Sequence, residues 1–294
     1  VLSIVSFLEP GFLAPSNLLN LILQISIDGV VAIGLTLVIL CGGLDLSVGA
    51  VMALSGVFFV SELRYGLGIA GLTALLAGTI VGFTNGLLIS KLKLNPLIIT
   101  LGTMAATQGL ALWFSRGYPL PGPGGDFEML GGGSFLYIPL PIVFFCLIAG
   151  ASHCMLGHTQ FGRDLYAIGG DREAARLADI PMLSREWWVY VLCSILAAFA
   201  GMVLASRLNT GSPIVGQDAP LQGITAVVLG GTSLYGGRGG VVQTVIGMAI
   251  IGVLSKGLNL LNVSPAFQWG IKGFVLILVA GLDSKQQRAR FRTA

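Results

Sequence analysis

Gly42-Gly43-Leu44-Asp45-Leu46-Ser47-Val48-Gly49 separates two apolar runs, Val30 to Leu40 before it and Ala50 to Val60 after it. A glycine pair holds a helix poorly, and Asp45 and Ser47 are both good N-cap residues. The stretch therefore reads as a helix end, a tight turn and a helix start, at or within a membrane. A carboxylate in that place is costly unless it faces protein, water or free backbone N–H groups. Asp45 has two compatible readings: a cap on the next helix, or a charge on a substrate path. Gly43, Asp45, Ser47 and Gly49 carry both readings.

The composition around this turn fixes the class. Of 294 residues, 54% are hydrophobic and only 10% charged, against about 25% charged in a soluble globular chain. The mean hydropathy is +0.88. This is an all-α polytopic membrane protein. Its 43 glycines suit helices packed closely in lipid. Cys41, Cys146, Cys154 and Cys193 all lie in apolar segments without a CxxC pair, and are expected as buried filler. The chain begins at Val1 inside an apolar run, so further residues are expected upstream.

About ten apolar spans of bilayer length follow one another. The first is Val1 to Leu8, cut short at its N-terminal side and stopped by Glu9-Pro10-Gly11. Leu18 to Leu40, Val48 to Leu63 and Leu67 to Ser90 come next, and Asn95-Pro96 starts a span reaching Ser115. Ile138 to Leu156, Trp187 to Ser206, Leu221 to Leu234, Val241 to Leu261 and Gln268 to Leu282 complete the set. The Arg116–Tyr137 linker, with seven Gly and three Pro in 22 residues, is expected to be a flexible connection. With a cytoplasmic N-terminus, eleven of the sixteen Lys and Arg fall on the inner side, which puts both termini in the cytoplasm. The same rule places the Gly42–Gly49 turn and a second glycine turn, Gly230 to Gly237, towards that inner face.

Residues 157–186 form a charged segment within what reads as one transmembrane domain over 1–294. Gly169-Gly170 are expected to stop whatever precedes them, Asp171 to cap a short helix, and Pro181 to end it. Eight residues, Arg172 to Asp179, cannot hold a helix alone in water, so something must pack on them. Small residues at helical spacing favour a docking element over a solvated loop.

Three separated stretches now coincide in order: GGLDLSVG (Gly42 to Gly49), AIGGDREAARLADI (Ala167 to Ile180) and ITAVVLGGTSLYGG (Ile224 to Gly237). Together they resemble the membrane-spanning permease subunit of the ribose-type family of ATP-binding-cassette importers of monosaccharides. The resemblance implies ten spans in a bacterial inner (plasma) membrane and a second permease subunit. It also implies cytoplasmic ATPase subunits that bind ATP and Mg, and an extracytoplasmic sugar-binding protein. This chain would bind no cofactor, metal or nucleic acid. Gly170, Asp171, Arg172, Glu173, Ala174, Ala175 and Arg176 match the region by which such permeases contact the ATPase. Two departures stand out. Pro220-Leu221-Gln222 replaces an acidic pair, and Leu177-Ala178-Asp179-Ile180-Pro181 replaces a commoner LSGI ending.

The chemistry missing from the sequence agrees. No GxxxxGK[ST], HExxH or GxSxG occurs, so no catalytic residues are assigned. His153 and His158 lie about 140° apart around a helix and share no ligand face. Asp28, expected near the outer part of its span, is too far along the helix from Asp45 to form a carboxylate pair with it. The competing class is an ion-coupled secondary transporter of a small polar solute, using a midplane carboxylate. For a passive path, scattered amides and hydroxyls are expected. Asn85, Thr103, Thr107 and Gln108 are available for this, or for bonds between packed helices.

Overall fold

The computed structural model describes residues 10–291; the expected first span, Val1 to Leu8, lies outside the described residues. Among the described residues, six helices are long and apolar enough to cross a membrane: α1 (Pro15–Leu40), α3 (Leu67–Gly86, continued by a π-turn to Lys91), α4 (Pro96–Ser115), α5 (Leu140–His158), α8 (Met182–Leu208) and α10 (Val241–Leu260). Three more helices are apolar but shorter in their apolar part: α2 (Val48–Ser61), α9 (Ala219–Leu229) and α11 (Pro265–Phe291). Two polar helices, α6 (Gln160–Gly170) and α7 (Arg172–Leu177), lie between α5 and α8.

The helices divide into a centre and a rim. In α1 and α8, 72% of the apolar window is buried, against 17% in α4 and α5, so the first pair forms the centre and the second faces outward. Lipid gives helices no hydrophobic reason to associate, so contact depends on close backbone approach at small residues. α3 supplies such a row at every fourth position, Ala70, Ala74, Gly78, Gly82 and Gly86. A Cβ at Gly78 would strike Ala198 and the Ser194 carbonyl, and one at Gly82 would strike Ser194 and the Tyr190 carbonyl. Gly201 of α8 lies in the same way against Met52 of α2. A Thr36–Thr244 hydroxyl pair, 2.6 Å apart, joins α1 to α10.

Several expectations are corrected. α1 begins at Pro15, where proline suits the first helical turn, and Asp28 is therefore the fourteenth of its 26 residues. That puts Asp28 at mid-helix and not near the outer part. The Arg116–Tyr137 linker is folded, because its glycines let the chain lie directly on α8. Leu120–Pro121 pairs antiparallel with Thr210–Gly211. Ser206 donates its hydroxyl to the Phe127 carbonyl and accepts from the Gly131 N–H at 2.8 Å. Among the cysteines, Cys41 and Cys193 are buried, but Cys146 and Cys154 are exposed on the rim helix α5.

The close α3–α8 seam generates a prediction. Gly82→Ala forces a methyl onto α8 and should cost about 1–3 kcal/mol, as overpacking does. Thermal unfolding of the detergent-purified chain measures this. Gly68→Ala, where nothing lies within 4 Å of the added carbon, should leave the transition unchanged.

Candidate functional site

The three motif stretches meet at one end of the bundle. α1 ends at Leu40, whose carbonyl accepts the Gly237 N–H at 2.9 Å. Gly169, in the last turn of α6, sits against that same carbonyl and the Gly237 nitrogen, with no room for a Cβ. Gly237 adopts φ +69°, a left-handed conformation that glycine takes without strain, and packs on Gly170. Asp283 of α11 accepts the Leu234 N–H at 3.1 Å and closes the second glycine turn from below. Gly169 and Gly170 form the last turn of α6, which stops at Gly170 as expected. The sequence showed these glycine pairs but no spacing that foretold their contact.

Beside this junction, Gly42 turns the chain at φ +82°. Asp45 and Ser47 are fully buried. The Asp45 Oδ1 accepts from the Ser47 N–H at 2.9 Å and from the Ser47 hydroxyl at 2.6 Å. Asp45 therefore closes the turn ahead of α2, bonding to its N-cap residue and not to an N–H inside the helix. Asn85 of α3 donates to the Ser47 hydroxyl at 2.9 Å and braces the turn from across the bundle. Gly49 lies against the Gly216 carbonyl, so the loop after α8 reaches in to the start of α2.

The remaining polar residues are placed as follows. Thr103 donates to the Ile99 carbonyl within α4, at 3.1 Å, and Thr107 is buried. Gln108 donates to the Pro213 carbonyl at 2.5 Å, tying α4 to the same inward loop. Asn85 and Gln108 each bond to another segment, the role in helix packing that their residue types also allow.

The 157–186 segment is built from two helices. Thr159 caps α6 by accepting the Gly162 N–H at 3.2 Å, and Leu165 and Ile168 bury its apolar side. Tyr166 donates to the Gly239 carbonyl at 2.8 Å, and burial raises its phenol above the usual range. Asp171 caps α7, accepting from the Glu173 and Ala174 N–H groups at 2.9 and 3.0 Å. Glu173 and Arg176 pair on the exposed face at 2.5 Å, which raises the Arg176 pKa through that bond. Ala174 and Leu177 are exposed, whereas Ala175 is 2% exposed and packs on this chain's own core. The small pair of α7 therefore faces two ways.

Two ion pairs fasten this segment to consecutive residues in the first turn of α8. Asp164 of α6 accepts from Arg185 at 2.8 Å, and Arg172 at the start of α7 pairs with Glu186. The sequence reading missed both, since sign and spacing alone do not choose among the charges of 157–186. A cavity of about 880 Å³ opens beside them, between the Gly42–Gly43 turn, the Lys93–Pro96 connection, α7 and the first turns of α8.

Comparison with known proteins gives this geometry a family. Residues 17–280 match the family described as branched-chain amino acid transport system / permease component. The chain belongs to this permease family. The permease is 45% identical to ribose import permease protein RbsC of Bacillus subtilis over 293 residues, covering 96% of this chain and 89% of the relative. It is 38% identical to RbsC of Escherichia coli K12, covering 98% and 91%, and 37% identical to the L-arabinose ABC transporter permease protein AraH of Azospirillum brasilense, covering 97% and 85%. No solved structure matches it. The permease is thus a membrane transport component and not an enzyme.

The turn at Asp45 yields the test for this site. Asp45→Ala strands the buried Ser47 N–H and hydroxyl and should cost about 1–3 kcal/mol. Asp45→Asn keeps an acceptor and should retain most of that stability. The relative melting of the two variants in detergent checks the assignment.

Proposed function

We propose that this permease is the transmembrane subunit of an ATP-binding-cassette importer carrying a monosaccharide or similar small polyol. In this reading the chain is one transmembrane domain of ten spans in the bacterial inner membrane, with both termini and the motif junction cytoplasmic. It works beside a second permease subunit. A cytoplasmic ATPase binds ATP and Mg, and an extracytoplasmic binding protein delivers the sugar. The near full-length similarity to ribose and L-arabinose permeases supports the substrate class and disfavours the ion-coupled carrier. The asymmetry of the basic residues supports the orientation.

One observation carries the coupling role of Gly170 to Arg176. α7 is capped, presents Glu173, Ala174, Arg176 and Leu177 outward, and is tied through Arg172 to Glu186 in the first turn of α8. A contact on its outer face is transmitted to the membrane by that pair. The ATPase has to bind the two transport states differently for hydrolysis to drive the exchange.

Replacing Ala174 and Ala175 separately tests this. Ala174→Trp leaves the fold intact and blocks the outer face, so ATPase co-purification and ATP-driven uptake in vesicles should fall at least about tenfold, the size of a hot-spot loss. Ala175→Trp should instead destabilise the chain itself, because that methyl is buried. Wild-type association and uptake in Ala174→Trp would remove α7 from the contact. Turnover of ATP by the purified chain alone would overturn the importer reading.

A further inference from the structure

Away from the motif junction, the structure gathers charges where a lipid-facing bundle has none to spare. Asp28 is at the middle of α1, about 20 Å from either end of that helix. Asp218, Lys272 and Arg207 are the charged groups near enough to act on its carboxylate. Lys272 of α11 reaches the Asp218 carboxylate at 3.4 Å. The Lys272 side chain is 6% exposed, while the Asp218 side chain is 34% exposed. Gln222, one turn into α9, donates to the same Asp218 carboxylate.

A carboxylate one-third open at this depth cannot face hydrocarbon and has to face water, a polar solute or polar groups of a second subunit. The first half of α1 leads to it. Asn20, Gln24 and Asp28 recur at every fourth position, within about 80° of arc. Arg207, in the last turn of α8, donates to Asn20 at 3.2 Å and so lies over the same stripe. A polar row of this kind has no place on a surface that touches only lipid or apolar helices.

We propose that this stripe and the Asp28–Asp218–Lys272–Arg207 cluster form a hydrophilic lane for a neutral polyol that passes the Asp218–Lys272 pair. The proposal rests on the importer reading and names where in the chain the solute passes. Asp218 and Lys272 pair with each other within the lane, so their charges offset. Carboxylate and amide oxygens accept hydrogen bonds from hydroxyl groups, and the amide, ammonium and guanidinium groups donate them. A polyhydroxylated solute exchanges its water for these partners and is wetted without being held tightly.

Two experiments test the lane. In membranes containing the full complex, with Cys146 and Cys154 replaced by alanine, Gln24→Cys should react with a membrane-impermeant thiol reagent. Ile22→Cys, an exposed apolar position of the same helix, should not. Equal protection of both positions overturns the lane, whatever the transported solute. The second experiment uses proteoliposomes with the ATPase and binding protein, D-ribose and L-arabinose as probes, and L-leucine as a zwitterionic one.

The double variant Asp218→Asn/Lys272→Gln removes both members of the pair together, so neither is left buried without its partner and assembly should persist. Pentose uptake should fall at least about tenfold, equivalent to about 1.4 kcal/mol, with ATPase association unchanged. Asp28→Asn should behave alike. Uptake within twofold of wild type in both assembled variants makes the cluster a structural brace and overturns the proposal. ATP-driven uptake of leucine that is lost in the variants overturns the polyol class. A labelled Gln24→Cys in a wild-type complex that carries neither pentose keeps the lane and rejects the sugar reading.

Discussion

Close backbone approach in a medium that offers no hydrophobic drive is the constraint on which this structure depends. Helices that share a lipid environment gain by packing only where side chains are small enough to let main chains touch. α8 meets that condition on two sides, with Gly78 and Gly82 of α3 against one and Gly56 of α2 near Gly201 on the other. The inward loop meets it as well, through Gly49 and Gly216. Helices set this close have little freedom to slide by fractions of a turn, and move as packed units.

That rigidity bears on the proposed coupling role of α7. α8 is a continuous helix of 27 residues, about 40 Å long. Its first turn carries Arg185 and Glu186, which hold α6 and α7, and its last turn carries Arg207, which reaches Asn20 of α1. A displacement applied at α7 is therefore delivered to the far end of the bundle without a hinge in between. The glycine junction works beside it, because Gly237 bonds to the last carbonyl of α1 while Gly169 packs against it. α1 and α8 are the two most enclosed long helices, and both are held from the same face.

The turn that divides α1 from α2 shows how one motif serves several ends. Gly42 supplies the bend and Asp45 satisfies Ser47, while Asn85 fixes the whole to α3. One oxygen of the buried carboxylate meets two donors, both from Ser47 two residues on. Each of the Asp45, Ser47 and Asn85 interactions is polar and enclosed, so their value lies in specifying one register for α1, α2 and α3.

Much of this was legible in the sequence. Apolar run length located each long helix, with bounds that differ by up to nine residues, because a bilayer sets a minimum span that composition cannot disguise. The Asp171 cap was legible too, since an Asx side chain satisfies N–H groups two and three residues on and so acts locally. Four arrangements were decided only by tertiary structure: the folded Arg116–Tyr137 segment, the inward face of Ala175, the ion pairs at Arg185 and Glu186, and the approach of Asp28 to Asp218 and Lys272. The last two join residues 14 to 244 positions apart, and a glycine-rich bundle brings distant helices together in many ways that periodicity does not distinguish. Local hydrogen bonding and hydropathy are written residue by residue; which backbone touches which is settled by the fit of small side chains across the whole bundle.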